Sequence, residues 1–116
     1  MIEGHSSVEF AGFGGDIPVV HLFGEADSSA AADLRARLQE LQEATHPNVV
    51  IDLLEVTFVD STILGVLVAA SRFCRNLGGE LRLVIAEPRV SRVLEITGLT
   101  RVFVLYGSLE AALHAA

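Results

Sequence analysis

Apolar residues fall along the chain in short runs of strand type and longer stretches of helical type. Val8 to Phe13 roughly alternates, the period of a half-buried strand. Gly14-Gly15-Asp16 then reads as a turn, because glycine reaches the positive φ that tight hairpins need. Ile17 to Phe23 is a second strand, with Pro18 near its start where a missing N–H is tolerated, so the two runs predict a hairpin. Met1 to Ser7 ahead of it reads as a frayed end. Gly24-Glu25-Ala26-Asp27 breaks the second run. Ala30, Leu34, Leu38 and Leu41 then recur at helical spacing, with Asp33, Arg35, Arg37, Gln39 and Glu40 on the opposite face. This amphipathic helix ends near Thr45-His46-Pro47, and Asp27, Ser28 or Ser29 can cap its start.

Asn48 to Leu53 is apolar on both faces, as in a central strand covered from two sides, and a loop is expected from there to Val59. A helix opens at Ser61 or Thr62 and runs to Leu77. Its first half, Ile63 to Ala70, is apolar almost all round, which predicts burial. Gly65 inside it costs about 1 kcal/mol of helix propensity relative to alanine, and close approach to the sheet is the expected return. Gly78-Gly79 ends the helix. Leu81 to Ala86 is a strand. Glu87-Pro88 opens a short helix through Ile96, with Val90, Val93 and Leu94 inward and Gly98 as its C-terminal cap. Val102 to Tyr106 is a last strand, and Ser108 caps a final helix whose inward face is Leu109, Ala112 and Leu113. The order β-β-α-β-α-β-α-β-α predicts an α/β fold: a mixed, mostly parallel sheet of about four to five strands with about four helices. With 116 residues and no linker or repeat, residues 1–116 read as a single domain.

Charge narrows the partners. Residues 1–60 hold 11 acids and 2 arginines, a net −9, whereas residues 61–116 hold 4 acids and 6 arginines, a net +2. There is no lysine. An acidic chain without a basic stripe is poorly suited to nucleic acid, whose binding rests on neutralising phosphates. Two readings of the negative charge remain open: attraction of a basic protein partner, or a charge that merely keeps the domain soluble. No apolar stretch reaches membrane-spanning length, and the N-terminus lacks the pattern of a signal peptide. The lone Cys74 suits a reducing compartment, so the expected location is the cytoplasm.

Few residues offer chemistry of their own. His5, His21, His46 and His114 are scattered without ligand spacing, so no metal is expected. Cys74 lies on the apolar helix as a core residue, and Gly12-Phe13-Gly14-Gly15 lacks phosphate-loop spacing. No serine stands in a nucleophile elbow, so there is no case for an enzyme and no cofactor is expected. Asp60-Ser61-Thr62 has a different setting. It lies at a helix N-terminus, where unpaired N–H groups and about half a unit of positive charge favour anions. Two readings fit these residues: an ordinary capping group, or a serine whose phosphate would be stabilised there and would alter a docking surface.

The segment VVIDLLEVTFVDSTILGVLV resembles the signature of STAS domains of the anti-sigma factor antagonist family. Asp52 closes the strand, Phe58-Val59 ends the loop, and Asp60-Ser61-Thr62-Ile63-Leu64-Gly65 stands where the family has Asp-Ser-Ser/Thr-Gly-Leu-Gly. The likeness continues in Val19 to Asp27, Gly79 to Val84 and Arg92 to Leu99. Ile63, where the family often has glycine, departs from it and stiffens the first turn in a way that bears on partner choice.

The resemblance implies a STAS fold and a regulatory binding protein. In such antagonists the unphosphorylated form binds an anti-sigma factor that is also a serine kinase, and the sigma factor is released. Phosphorylation at the position of Ser61 switches this off, and a serine phosphatase reverses it. ATP belongs to the kinase. Carried over by motif, Asp27, Asp60, Ser61, Thr62 and Leu64 are the expected contacts, with Asp52 in structural support near Ser61. The alternative is a STAS module serving as a structural or ligand-sensing part of a stress-signalling assembly or a transport system. The lack of an attached sensor or membrane segment in these 116 residues favours the antagonist.

Overall fold

The computed structural model describes residues 7–114. The frayed end expected at the N-terminus therefore lies outside the described residues, apart from Ser7, which opens a strand. The elements run β1 (Ser7–Gly14), β2 (Ile17–Ala26), α1 (Ser28–Glu43), β3 (Val49–Val59), α2 (Ser61–Asn76), β4 (Leu81–Val84), α3 (Pro88–Ile96), a 3-10 turn (Leu99–Arg101), β5 (Val104–Tyr106) and α4 (Leu109–His114). β1 and β2 form an antiparallel hairpin around Gly15-Asp16, where Gly15 takes φ 63°, a value suited to the first position of a two-residue turn. The remaining pairings are parallel, and strand order in space equals order in the chain, β1-β2-β3-β4-β5. The expected order of strands and helices is the observed one.

That order decides where the helices go. Each parallel crossover turns the same, right-handed way, so a sheet that grows in one direction receives α1, α2 and α3 on one face. Ala30, Leu34 and Leu38 of α1, Ile63 and Leu67 of α2, and Val90 and Leu94 of α3 pack there on Val20, Leu22, Ile51, Leu53, Leu81 and Leu83. The second face carries a smaller core, in which Ala112 of α4 meets Val19, Val50 and Val84. Arg82 is buried in this face; its Nε donates to Glu80 at 2.9 Å and its Nη1 to the Ala112 carbonyl at 2.6 Å.

Several expectations need correction. β2 does not stop at Phe23, nor β3 near Leu53; each continues, to Ala26 and Val59, because the two extensions pair with one another. Gly24, at φ 86°, is followed by a register shift instead of ending the strand. Asp52 does not close β3 either. It lies at another register shift, where three β3 positions oppose two of β2, and its carboxylate accepts the Leu54 N–H at 3.0 Å. Finally, Gly65 is exposed, and a Cβ built on it meets nothing within 4 Å, so its lack of a side chain serves no close approach to the sheet. β4 and β5 are also shorter than expected, ending at Val84 and beginning at Val104.

β4 pairs with β3 only as far as Asp52. Beyond it β1 still pairs with β2 as far as Phe23, and from Gly24 the extensions of β2 and β3 continue, among the described residues, as a two-stranded ribbon. One side is closed by Ala26, Val56 and Val59 in the main core; the other is open among the described residues. The ribbon delivers the chain to α1 and α2.

Candidate functional site

The site is built where the ribbon ends. Asp27 follows β2 and Asp60 follows β3, and the Asp60 N–H donates to the Ala26 carbonyl at 3.1 Å, which ties the two loops together. Both aspartates adopt extended backbone and cap the helix that follows, but in different ways. Asp27 accepts from the Ser29 N–H at 3.0 Å and from the Ser29 hydroxyl at 2.5 Å. The hydroxyl, foremost, holds the Asp27 carboxyl below its ordinary range. Asp60 accepts from the Ile63 N–H at 3.0 Å, while its own carbonyl receives the Leu64 N–H at 3.1 Å.

The two caps differ in reach. In α1 the cap occupies Ser29, while Ser28, the position equivalent to Ser61, is exposed and its hydroxyl makes no hydrogen bond among the described residues. In α2 the cap reaches past Ser61 to Ile63, and the Ser61 hydroxyl makes no hydrogen bond among the described residues. Ser61 and Thr62 are exposed on the first turn of a 16-residue helix. An oxyanion attached to that hydroxyl would find the N-terminal partial charge and the free donors of the turn. The hydroxyl has no base bonded to it, so the geometry suits receiving a group from another enzyme better than attacking a substrate. Glu87, accepting from the Arg89 N–H, caps α3 at the end of the next parallel segment, so the starts of α1, α2 and α3 follow the carboxyl ends of neighbouring strands.

Asp27, Asp60, Ser61 and Thr62 are thus brought to one rim. Leu64 is not available in the same way: it is 8% exposed and packs in the main core, because the cap turns its side of the helix toward the sheet. Ile63 is fully buried, so the replacement of glycine there fills the core and leaves the outer surface untouched.

One grouping escaped the sequence pattern. His21 Nδ1 lies 3.1 Å from the Asp52 carboxylate, and its Nε2 lies 3.2 Å from that of Glu55. Asp52 is therefore buried with partners, consistent with a supporting role beneath the ribbon. Its 31-residue separation from His21 hides the pair, which only the strand register reveals. Phe58, at the end of the expected loop, is instead an exposed strand residue, three positions before Ser61.

Comparison with known proteins places the fold in a family. The family model of the STAS domain matches residues 12–112. The anti-sigma-B factor antagonist of Bacillus subtilis is 38% identical over 80 residues, 69% of this chain and 72% of that protein. The anti-sigma F factor antagonist of Paenibacillus polymyxa is 29% identical over 89 residues, 76% of each chain. Among solved structures, an anti-sigma factor antagonist from Mycobacterium paratuberculosis superposes with a TM-score of 0.86 at 28% identity, covering 98% of this chain and 96% of its own. With its sheet order, its ribbon-borne caps and a profile that spans nearly all of it, the chain belongs to the STAS domain family.

Proposed function

We propose that this protein is an anti-sigma factor antagonist: unphosphorylated, it binds an anti-sigma factor and frees a sigma factor. The anti-sigma factor acts as a serine kinase on Ser61, and a serine phosphatase restores the hydroxyl. Residues 1–116 act as one domain, in the cytoplasm. Relatives named as antagonists of anti-sigma factors support the binding role. The observation that carries the switch is the exposed, unbonded Ser61 hydroxyl on the first turn of α2, beside the capping Asp60. Asp27, Asp60, Ser61 and Thr62 form the contact rim. Among the described residues, no helix is long and apolar enough to cross a membrane.

Phosphate would add nearly two negative charges to an already acidic rim. Against a basic partner, that charge alone does not explain release. Release follows from the bulk and desolvation cost of a phosphate in a close-packed contact. Incubation with the cognate kinase and ATP is expected to add one phosphate, read by mass spectrometry, and Ser61→Ala to abolish it. Undiminished labelling of that variant would move the site to Thr62. Ser61→Asp is expected to weaken anti-sigma binding in calorimetry with the fold retained; equal affinities would remove the switch.

A further inference from the structure

The open side of the ribbon presents an ordered pattern that the capping rim does not use. Strand register pairs His21 with Asp52, Phe23 with Glu55 and Glu25 with Phe58. Side chains two apart on β2 share a face, so these three pairs form successive rungs on one surface. Across each rung an aromatic ring faces a carboxylate. Phe58 is 49% exposed, and Glu25 and Glu55 are also exposed. The His21 and Phe23 rings stand 5.2 Å apart, and His21 meets both Asp52 and Glu55. That bridge fixes the lower rungs, so the surface is organised before anything binds.

Its charge selects its occupant. No arginine or lysine lies on β1, β2 or β3; the two arginines of residues 1–60, Arg35 and Arg37, are on α1, across the sheet. Glu25 has no ion-pair partner among the described residues, and Glu55 has only His21. Nucleic acid and anionic lipid are repelled by such a surface. A symmetric second copy would set Glu25 and Glu55 against their equivalents. A protein surface rich in arginine is complementary: guanidinium groups stack on phenyl faces and pair with flanking carboxylates. The ribbon also continues directly into the rim. Phe58 is three residues from Ser61, within roughly 11 Å of chain.

We propose that the Phe58–Glu25 and Phe23–Glu55 rungs are a second, phosphorylation-independent docking surface for a basic, arginine-bearing face of the anti-sigma factor. This rests on the antagonist reading, and it adds an anchor that Ser61 does not control. Phe58 supplies the buried aromatic contact, and the glutamates steer and pair with the cations. Phosphorylation then weakens the complex at the rim while this contact persists.

The test measures calorimetric affinity and stopped-flow association of the purified cognate anti-sigma factor with the wild type, Phe58→Ala, a Glu25→Gln/Glu55→Gln double variant, Ser61→Asp, and Phe58→Ala combined with Ser61→Asp. Phe58→Ala is expected to weaken binding about tenfold, both alone and on the Ser61→Asp background. The double glutamine variant is expected to associate more slowly and to lose much of the salt dependence. Because Phe58 is exposed, circular dichroism is expected to be unchanged. If Ser61→Asp weakens binding but Phe58→Ala and the double variant do not, the second surface is overturned and the switch stands. If the wild type does not bind the anti-sigma factor at all, the antagonist reading falls, and this surface with it. If the wild type sediments as a dimer that Phe58→Ala dissociates, the patch is a self-interface and the proposal is wrong.

Discussion

At the scale of single residues, burial and hydrogen bonding decide which groups are reactive. Cys74 is buried on α2, and burial pushes its thiol from 9.0 up to about 11. A raised thiol means that the unfolded chain ionises first. The folded state therefore keeps its full stability below about pH 9 and loses some as pH rises toward 11. Urea denaturation at pH 8 and pH 10 checks this: the wild type is expected to lose more stability between the two than Cys74→Ala. A parallel loss in both would assign the alkaline slope to other groups. Ser61 is the opposite case, a hydroxyl in water beside a cap that passes it by. The sequence made Asp60-Ser61-Thr62 visible as a helix start, because capping depends on neighbours in the chain. It did not reveal that the cap would land on Ile63 and leave Ser61 free, nor that Leu64 and Ile63 would turn inward. Those facts depend on how α2 is rotated against the sheet.

At the scale of elements, three helices end in closely related ways. The N–H groups past the end of α1 donate as Thr45 to Gln42 and His46 to Leu41; past α2 they donate as Gly78 to Arg75 and Gly79 to Cys74. Gly98 donates to Glu95 past α3. The left-handed residue is Gly78 (φ 84°), Gly98 (φ 75°) and, after α1, Thr45 (φ 58°). A β-branched residue in that conformation costs roughly 1–2 kcal/mol. Glycine would relieve it but would add roughly 0.5–1 kcal/mol of unfolded-state entropy. Thr45→Gly is thus expected to stabilise the protein by about 0.5–1 kcal/mol in urea denaturation. A loss of stability would show that the Thr45 hydroxyl, which donates to the Ala44 carbonyl at 2.7 Å, outweighs the strain. Glycine made the ends of α2 and α3 legible in the sequence, and the turn before Pro47 sufficed for α1. β3 was less legible. The polar residues at 52 and 55 look like a strand end until His21 is placed beside them, and only the pairing with β2 justifies Leu54 to Val59 as strand.

At the scale of the whole molecule, the two faces of the sheet are unequal. Three helices build the main core, while the second face depends on α4, a six-residue helix too short to persist alone. Arg82 holds it through the Ala112 carbonyl. Arg82→Leu is expected to cost about 2 kcal/mol, the loss of a charge-assisted hydrogen bond and of the partner of Glu80. In hydrogen exchange, α4 amides are expected to lose protection ahead of those of β2 and β3. Uniform loss across the sheet would mean that α4 is part of the global unit and not an appended clasp. This asymmetry was only partly legible: the order of strands and helices predicted the parallel sheet, but Arg82 reads in the sequence as an ordinary surface charge within a strand.

The spatial order of the strands, identical to their order in the chain, also bears on how the molecule is made. No strand has to be inserted between two that are already paired. As synthesis proceeds, the hairpin appears first, and each later strand adds to the one free edge on the side where the chain is still emerging. The growing protein can thus assemble in the direction in which it is translated, and the loop bearing Ser61 is placed before the last two strands exist.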